Sequence, residues 1–199
     1  MREIIDQVRK VRHVHRNIYL LLMFLFLTFS TRAQKNTSSS GVISNEHYEV
    51  YNSLYNYPYD IKPKIYQRTF FDSSWSLYFD PRVFEYAKKN SGLASKISYE
   101  NLRETLNDDM LLKIKRKIIY TKKAIKLDTK RFKNVKLVSH FDRFQDLNDV
   151  YRLSKPVIVD NISVFRTLNP HNSSIYIFFK EEGKWNLAYE IVLWVSTFD

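Results

Sequence analysis

The sequence predicts an α+β fold in a single domain, with helices packed on a C-terminal antiparallel β-meander. Two patterns carry that expectation. On either side of Gly183, Ile175, Ile177 and Phe179 alternate with Tyr176, Phe178 and Lys180, and Trp185, Leu187 and Tyr189 alternate with Asn186, Ala188 and Glu190. Two alternating runs around a short turn read as a hairpin. Upstream, Leu102, Leu106, Met110, Ile114 and Ile118 recur every four residues, the spacing of one helical face. Size agrees: of 199 residues, 1–33 read as a leader, and the remaining 166 suit one core.

Within that leader an apolar run of a dozen residues, Ile18 to Phe29, follows a basic segment containing Arg2, Arg9, Lys10, Arg12 and Arg16. Crossing a hydrocarbon core takes about 20 apolar residues. The run is short for a span and suits a secretory signal. Thr31-Arg32-Ala33 sets small residues at the two positions a signal peptidase reads, so cleavage is expected after Ala33, with export to the periplasm, envelope or medium. The alternative is an uncleaved anchor over residues 18–31, with Arg16 and Arg32 snorkelling at its ends. No cysteine follows the run, which excludes a lipid-modified amino terminus.

Residues 34–44 are small and polar and read as a flexible lead-in; the domain proper is expected over 45–199. Ser44 or Asn45 can cap a helix that carries Glu46 and Glu49 in its first turns and sets Tyr48, Tyr51, Leu54 and Tyr55 on one face. Pro58 ends it. "KPKIYQRTFF" (62–71) alternates and reads as a strand; Asp80-Pro81 opens a turn and a short helix through Tyr86, closed near Ser91-Gly92. Ser98 to Ile118 is expected as one long helix, its acids toward the start and its bases toward the end, as the helix dipole favours. "NVKLVSHF" and "SKPVIVDNISVFRTL" each read as a strand before the closing hairpin, whose turn is expected at Glu181-Glu182-Gly183.

Composition narrows the chemistry. With no cysteine and three glycines, disulfides, thiolate catalysis, iron-sulfur ligation and glycine-rich phosphate loops fall away, and no cofactor is expected. The chain carries 32 Lys plus Arg against 21 Asp plus Glu; the leader holds six of the former and two of the latter, leaving 26 against 19, or about +7. Such a field attracts anionic envelope components, an acidic glycan or phosphorylated glycolipid among them. Eleven of the bases fall between Lys113 and Lys136, interrupted by core-like Ile114, Ile118, Ile119, Ile125, Leu127 and Phe132. That interruption argues for a solvated face, and no nucleic acid is expected as partner.

The candidate ligand-binding residues are Lys113, Lys115, Arg116, Lys117, Lys122 and Lys123, with Tyr57 and Tyr59, which flank Pro58 and could stack on sugar rings. Tyr48, Tyr51 and Tyr55 are assigned to the core by their helical spacing. No two of His47, His140 and His171 lie at metal-ligand spacing, and no metal site is expected. His140 with Asp142 and Asp146 is the one cluster in which a carboxylate could orient an imidazole for base chemistry. Two functions remain open: a non-catalytic envelope binding domain or interaction domain, and an exported hydrolase whose site forms near His140 and Asp142 only in the fold.

Leu153-Ser154-Lys155-Pro156, Gly183-Lys184-Trp185 and Trp194-Val195-Ser196 together resemble the closing pattern of uncharacterised exported proteins of Bacteroidota. The resemblance covers roughly the last half of the chain, and the Ala33-Gln34 junction looks like signal cleavage in that group. This chain lacks the cysteines or small-residue motif that some members carry in the strand pair. The resemblance implies an exported address and a sheet, with no activity and no functional residue attached.

Overall fold

The computed structural model describes residues 43–55, 62–139 and 150–195. Among these residues no helix is long and apolar enough to cross a membrane; the leader, Tyr57, Tyr59, His140, Asp142 and Asp146 lie outside them. The elements are α1 (Asn45–Leu54), β1 (Lys64–Tyr66), a 3-10 turn (Ser74–Phe79), α2 (Tyr86–Lys89), α3 (Tyr99–Thr105), α4 (Asp108–Tyr120), β2 (Lys136–Val138), β3 (Val150–Leu153), β4 (Val157–Val159), β5 (Ile162–Leu168), β6 (Asn172–Glu181) and β7 (Lys184–Val195). They make an α+β fold built on one mixed sheet of order β2-β1-β3-β5-β6-β7, with β4 also on β5. β5, β6 and β7 form the expected antiparallel meander; β1 runs parallel to both β2 and β3 and extends the sheet beyond it.

Helices cover both faces of the sheet, where the meander was expected to carry them on one. On one face Leu102, Leu106, Leu111, Ile114 and Ile118 of the α3–α4 region pack with Val164, Ile175, Ile177 and Tyr189. On the other, Tyr48, Tyr51 and Tyr55 pack with Ile65, Phe165, Phe178 and Trp185. The alternation along β6 therefore separates two cores, not a core from solvent, and six consecutive residues of β5, Ile162 to Thr167, are buried. A strand covered on both sides loses the apolar-polar alternation of a half-exposed one. In β7 the register slips after the Ile177–Tyr189 pair, so that Phe178 pairs with Leu187. That bulge sends Trp185 and Leu187 to the α1 side and Tyr189 to the other, dividing three residues expected on one face.

The expected helix from Ser98 to Ile118 is two helices. Ser98 Oγ accepts from the Asn101 amide at 3.2 Å and caps α3; Asn107 Oδ1 accepts from the Met110 amide at 3.0 Å and caps α4. Asn at an N-cap followed by Asp108 and Asp109 is a strong start signal, and it outcompetes continuation through Leu106. Arg103 staples the junction, donating to the Leu106 carbonyl and pairing with Asp108. The stretch read as one strand from Ser154 to Leu168 is likewise two, β4 and β5, folded back at Asp160-Asn161 with Asp160 at φ 53°. β3 and β4 are halves of one bent strand along β5: Leu153 pairs with Thr167 and Val157 with Val164, so Lys155-Pro156 carries one extra residue. Proline fits there because a bulge has no ladder bond for it to donate. The β6–β7 turn is a two-residue one, Glu182 and Gly183 at φ 49° and 77°, within the three-residue stretch expected.

At the start of α1, the Ser44 amide donates to His47 Nδ1 at 3.2 Å, and Ser44 Oγ lies 2.6 Å from the same nitrogen. Nδ1 serves as acceptor, so the cap requires neutral imidazole. Burial, and then the charge of Lys155, hold His47 down to about pKa 4, against a smaller opposing pull from Glu46. The unfolded chain takes up this proton near pH 6.5 and the native state resists until about pH 4. Between those values the unfolded state binds more protons, and stability falls as pH falls. The thermal midpoint is expected to drop from neutrality to about pH 5, and the drop should shrink in His47→Gln, which keeps an N3 acceptor without a titration in this range. An unchanged slope in that variant would assign the pH response to other groups.

Candidate functional site

A groove of about 830 Å³ opens on the α1 side of the hairpin. Three segments wall it: Glu49, Asn52 and Leu54 from the second half of α1, Leu93 to Lys96 from the loop beside β7, and Gly183 to Leu187 from the hairpin. Lys133 closes it. Each wall is held by specific bonds. Asn52 Nδ2 donates to the Arg131 carbonyl at 2.9 Å and its Oδ1 accepts from the Lys133 amide at 3.1 Å, which ties the Lys133 loop to α1. Lys180 pairs with Glu46 at 2.6 Å and sits 5.2 Å from the centre of the Trp185 ring, tying α1 to the hairpin. On the third wall the Gly92 amide donates to the Glu190 carbonyl at 2.8 Å and the Lys96 amide to the Ala188 carbonyl at 2.9 Å. These ties make a formed groove, and preformed concavities of this size are where small ligands bind.

Its electrostatics are one-sided. Lys96, Lys133 and Lys184 line it against the single carboxylate of Glu49. None of the three ammonium groups has a side-chain hydrogen bond or ion pair among the described residues. Leu54, Leu93, Leu187 and Trp185 give it apolar patches between amide and hydroxyl groups of Asn52, Ser53, Ser95 and Asn186. Trp185 is 4% exposed and its Nε1 is buried without an acceptor, a local cost of about 1–3 kcal/mol.

No family model, curated protein or solved structure matches this chain.

The lysines singled out in the sequence are not one free patch. Lys113 pairs with Asp109 at 2.7 Å, Lys115 with the largely buried Asp80 at 2.8 Å, and Lys117 Nζ donates to the Ile158 carbonyl at 2.7 Å. Hydrogen bonds from Arg82 and Lys115 hold the Asp80 carboxyl far below the usual range. Arg116, Lys122 and Lys123 remain exposed, with no such partner among the described residues. Lys96, Lys133 and Lys184 were not singled out. They lie far apart in the chain, and only the packing of α1, the β7 loop and the hairpin joins them. The one readable signal was Lys184-Trp185 directly after the turn.

A second polar cluster, at the far end of the sheet, is internally satisfied. Arg166 donates to Ser173 Oγ at 2.8 Å and to Asp72 at 2.7 Å, and its guanidinium lies 5.7 Å from the Phe70 ring centre. Burial raises the Asp72 carboxyl, but bonds from Ser74 and then the Arg166 charge outweigh it and bring it below its ordinary value. Its role is to tie residues 70–74 to β5. Among the described residues no group of three His, Asp or Glu side chains is placed to hold a metal ion.

Proposed function

We propose that this chain is a non-catalytic binding domain of the cell envelope, exported behind a cleaved leader, and that its groove takes an acidic oligosaccharide. The observation that carries the reading is the groove's composition: three ammonium groups against one carboxylate, with side-chain amides and leucines between them. Carboxylates of a uronic-acid chain suit the ammonium groups, its hydroxyls suit the amides, and the C–H faces of its rings suit the leucines. An open groove fits a segment of chain. The chain's surplus of basic residues adds long-range attraction to the same partner.

Isothermal titration of the full chain with a short oligogalacturonate tests it. Binding is expected, weakening as salt rises, and much stronger than for a neutral galactose oligomer. Replacing Lys96, Lys133 and Lys184 together by Gln is expected to weaken binding about tenfold or more, at a few tenths to 1 kcal/mol per exposed ion pair. Equal affinity for the neutral oligomer, or no loss in the triple variant, would refute the groove as the site.

A further inference from the structure

The exposed end of α4 carries a feature the groove does not use. Leu112, Arg116, Ile119 and Tyr120 stand at i, i+4, i+7 and i+8, one strip of the helix surface. The buried strip of the same helix is Leu111, Ile114 and Ile118, so the outer one owes nothing to the core. Tyr120 is 70% and Ile119 44% exposed, and Leu112 is exposed as well. Phe71, 47% exposed, belongs elsewhere: it lines a small cleft with Ile118 and Thr121, on the side of the helix that faces the core. Exposed apolar side chains along one outer strip of a helix mark an interaction surface.

Charge says what kind. The acids of α4 are spent at its start, where Asp109 holds Lys113 and Asp108 holds Arg103. Around its end stand Arg116, Lys122 and Lys123, exposed and without a side-chain partner among the described residues. Tyrosine, isoleucine and leucine beside unpaired cations are the composition of a surface that seats in the headgroup region of a bilayer. The ring and aliphatics enter the acyl boundary while the cations stay at the phosphates.

We infer that the outer strip of α4, toward its C-terminal end, docks the domain onto an anionic lipid surface. This goes beyond the groove reading and uses none of its residues. The docked face is Leu112, Ile119 and Tyr120, and Arg116, Lys122 and Lys123 are the cations that meet the headgroups.

The absence of cysteine from the chain allows a local readout in the full protein, so that tethering through the leader cannot imitate docking. A single Leu112→Cys, labelled with an environment-sensitive nitrobenzoxadiazole, is expected to blue-shift and brighten on vesicles of phosphatidylcholine and phosphatidylglycerol, and not on phosphatidylcholine alone. The same label at Glu182→Cys, in the hairpin turn, should not respond. Adding Arg116→Gln, Lys122→Gln and Lys123→Gln is expected to weaken the Leu112-site response about 100-fold in lipid concentration, at about fivefold per cation, with far-ultraviolet circular dichroism unchanged. Adding Ile119→Ser and Tyr120→Ser should weaken it at high salt too, where the apolar contribution remains. Equal responses at both label sites, no response at the Leu112 site, or a response that survives loss of the three cations would overturn the inference. So would a response abolished by the Lys96, Lys133 and Lys184 variant, which would place the lipid headgroup in the groove. Failure of oligogalacturonate binding leaves this result untouched, because the two tests share no residue.

Discussion

Phe165→Ala is expected to lower the unfolding free energy by about 3–5 kcal/mol. Phe165 is fully buried at the middle of β5 and its ring meets three others. Tyr51 of α1 contacts it edge-on at 5.1 Å, Phe178 of β6 stacks on it at 5.6 Å, and Tyr176 lies at 5.8 Å. It thus joins α1 to the centre of the sheet. The Tyr51 hydroxyl, behind that contact, donates to the Ser154 carbonyl at 2.7 Å, beside the bulge where β3 passes into β4. Removing the ring opens a cavity bounded by helix and sheet, and neither can close on the other without breaking that bond. A domain of this size holds about 5–15 kcal/mol in all, so the variant should unfold at a much lower urea midpoint with little change in slope. A cost under about 1 kcal/mol would mean that the α1 layer does not belong to the cooperative core.

Gly92→Ala is expected to cost about 1–3 kcal/mol, although the change adds one methyl group. A β-carbon at position 92 would collide with the Oε2, Cδ and Cγ atoms of Glu190. That side chain has little room to yield. Its Oε2 accepts from the Ala94 amide at 3.2 Å, and its charge stands close enough to Tyr176 to push that hydroxyl up, second to burial. The alanine must push a buried carboxylate off the Ala94 amide. Pairing it with Glu190→Ala is therefore expected to give a protein more stable than Gly92→Ala alone, a coupling between contacting sites that chemical denaturation of the four proteins measures directly. Strict additivity would place the strain elsewhere. Leu93 to Lys96 wall the groove, so the single variant should also bind oligogalacturonate more weakly.

What could be read from the chain follows from how local each signal is. The closing hairpin was legible because its pairing lies within about two dozen residues and its turn residues specify it. Tyr48, Tyr51 and Tyr55 were legible as core for the same reason, one helical face read in one window. The break at Asn107 was also present, as an N-cap residue followed by two acids, but the four-residue apolar repeat across it spoke for continuity. The second core was hidden in β5. Val164 and Phe165 point to opposite faces, and consecutive apolar residues look the same in a buried strand and in a buried helix. The groove was the least visible. Glu49, Lys96, Lys133 and Lys184 carry no spacing in common, and no window of sequence holds two of its walls. The partners of Lys113, Lys115 and Lys117 divide in the same way: Asp109 lies four residues away and was readable, whereas Asp80 and the Ile158 carbonyl reach them only through tertiary packing.

The outer edge of β7 meets residues 90–97, whose bonds run from the Gly92 amide to the Glu190 carbonyl, from the Val192 amide to the Asn90 carbonyl, and from the Lys96 and Ile97 amides to the Ala188 carbonyl. A twelve-residue terminal strand with an open edge would be a template for pairing with other molecules. Here the covering segment precedes that strand in the chain by some ninety residues. During synthesis, amino end first, the cover is out before the edge it protects. β7 emerges to meet a partner already made, which shortens the interval in which unfinished molecules can aggregate through it.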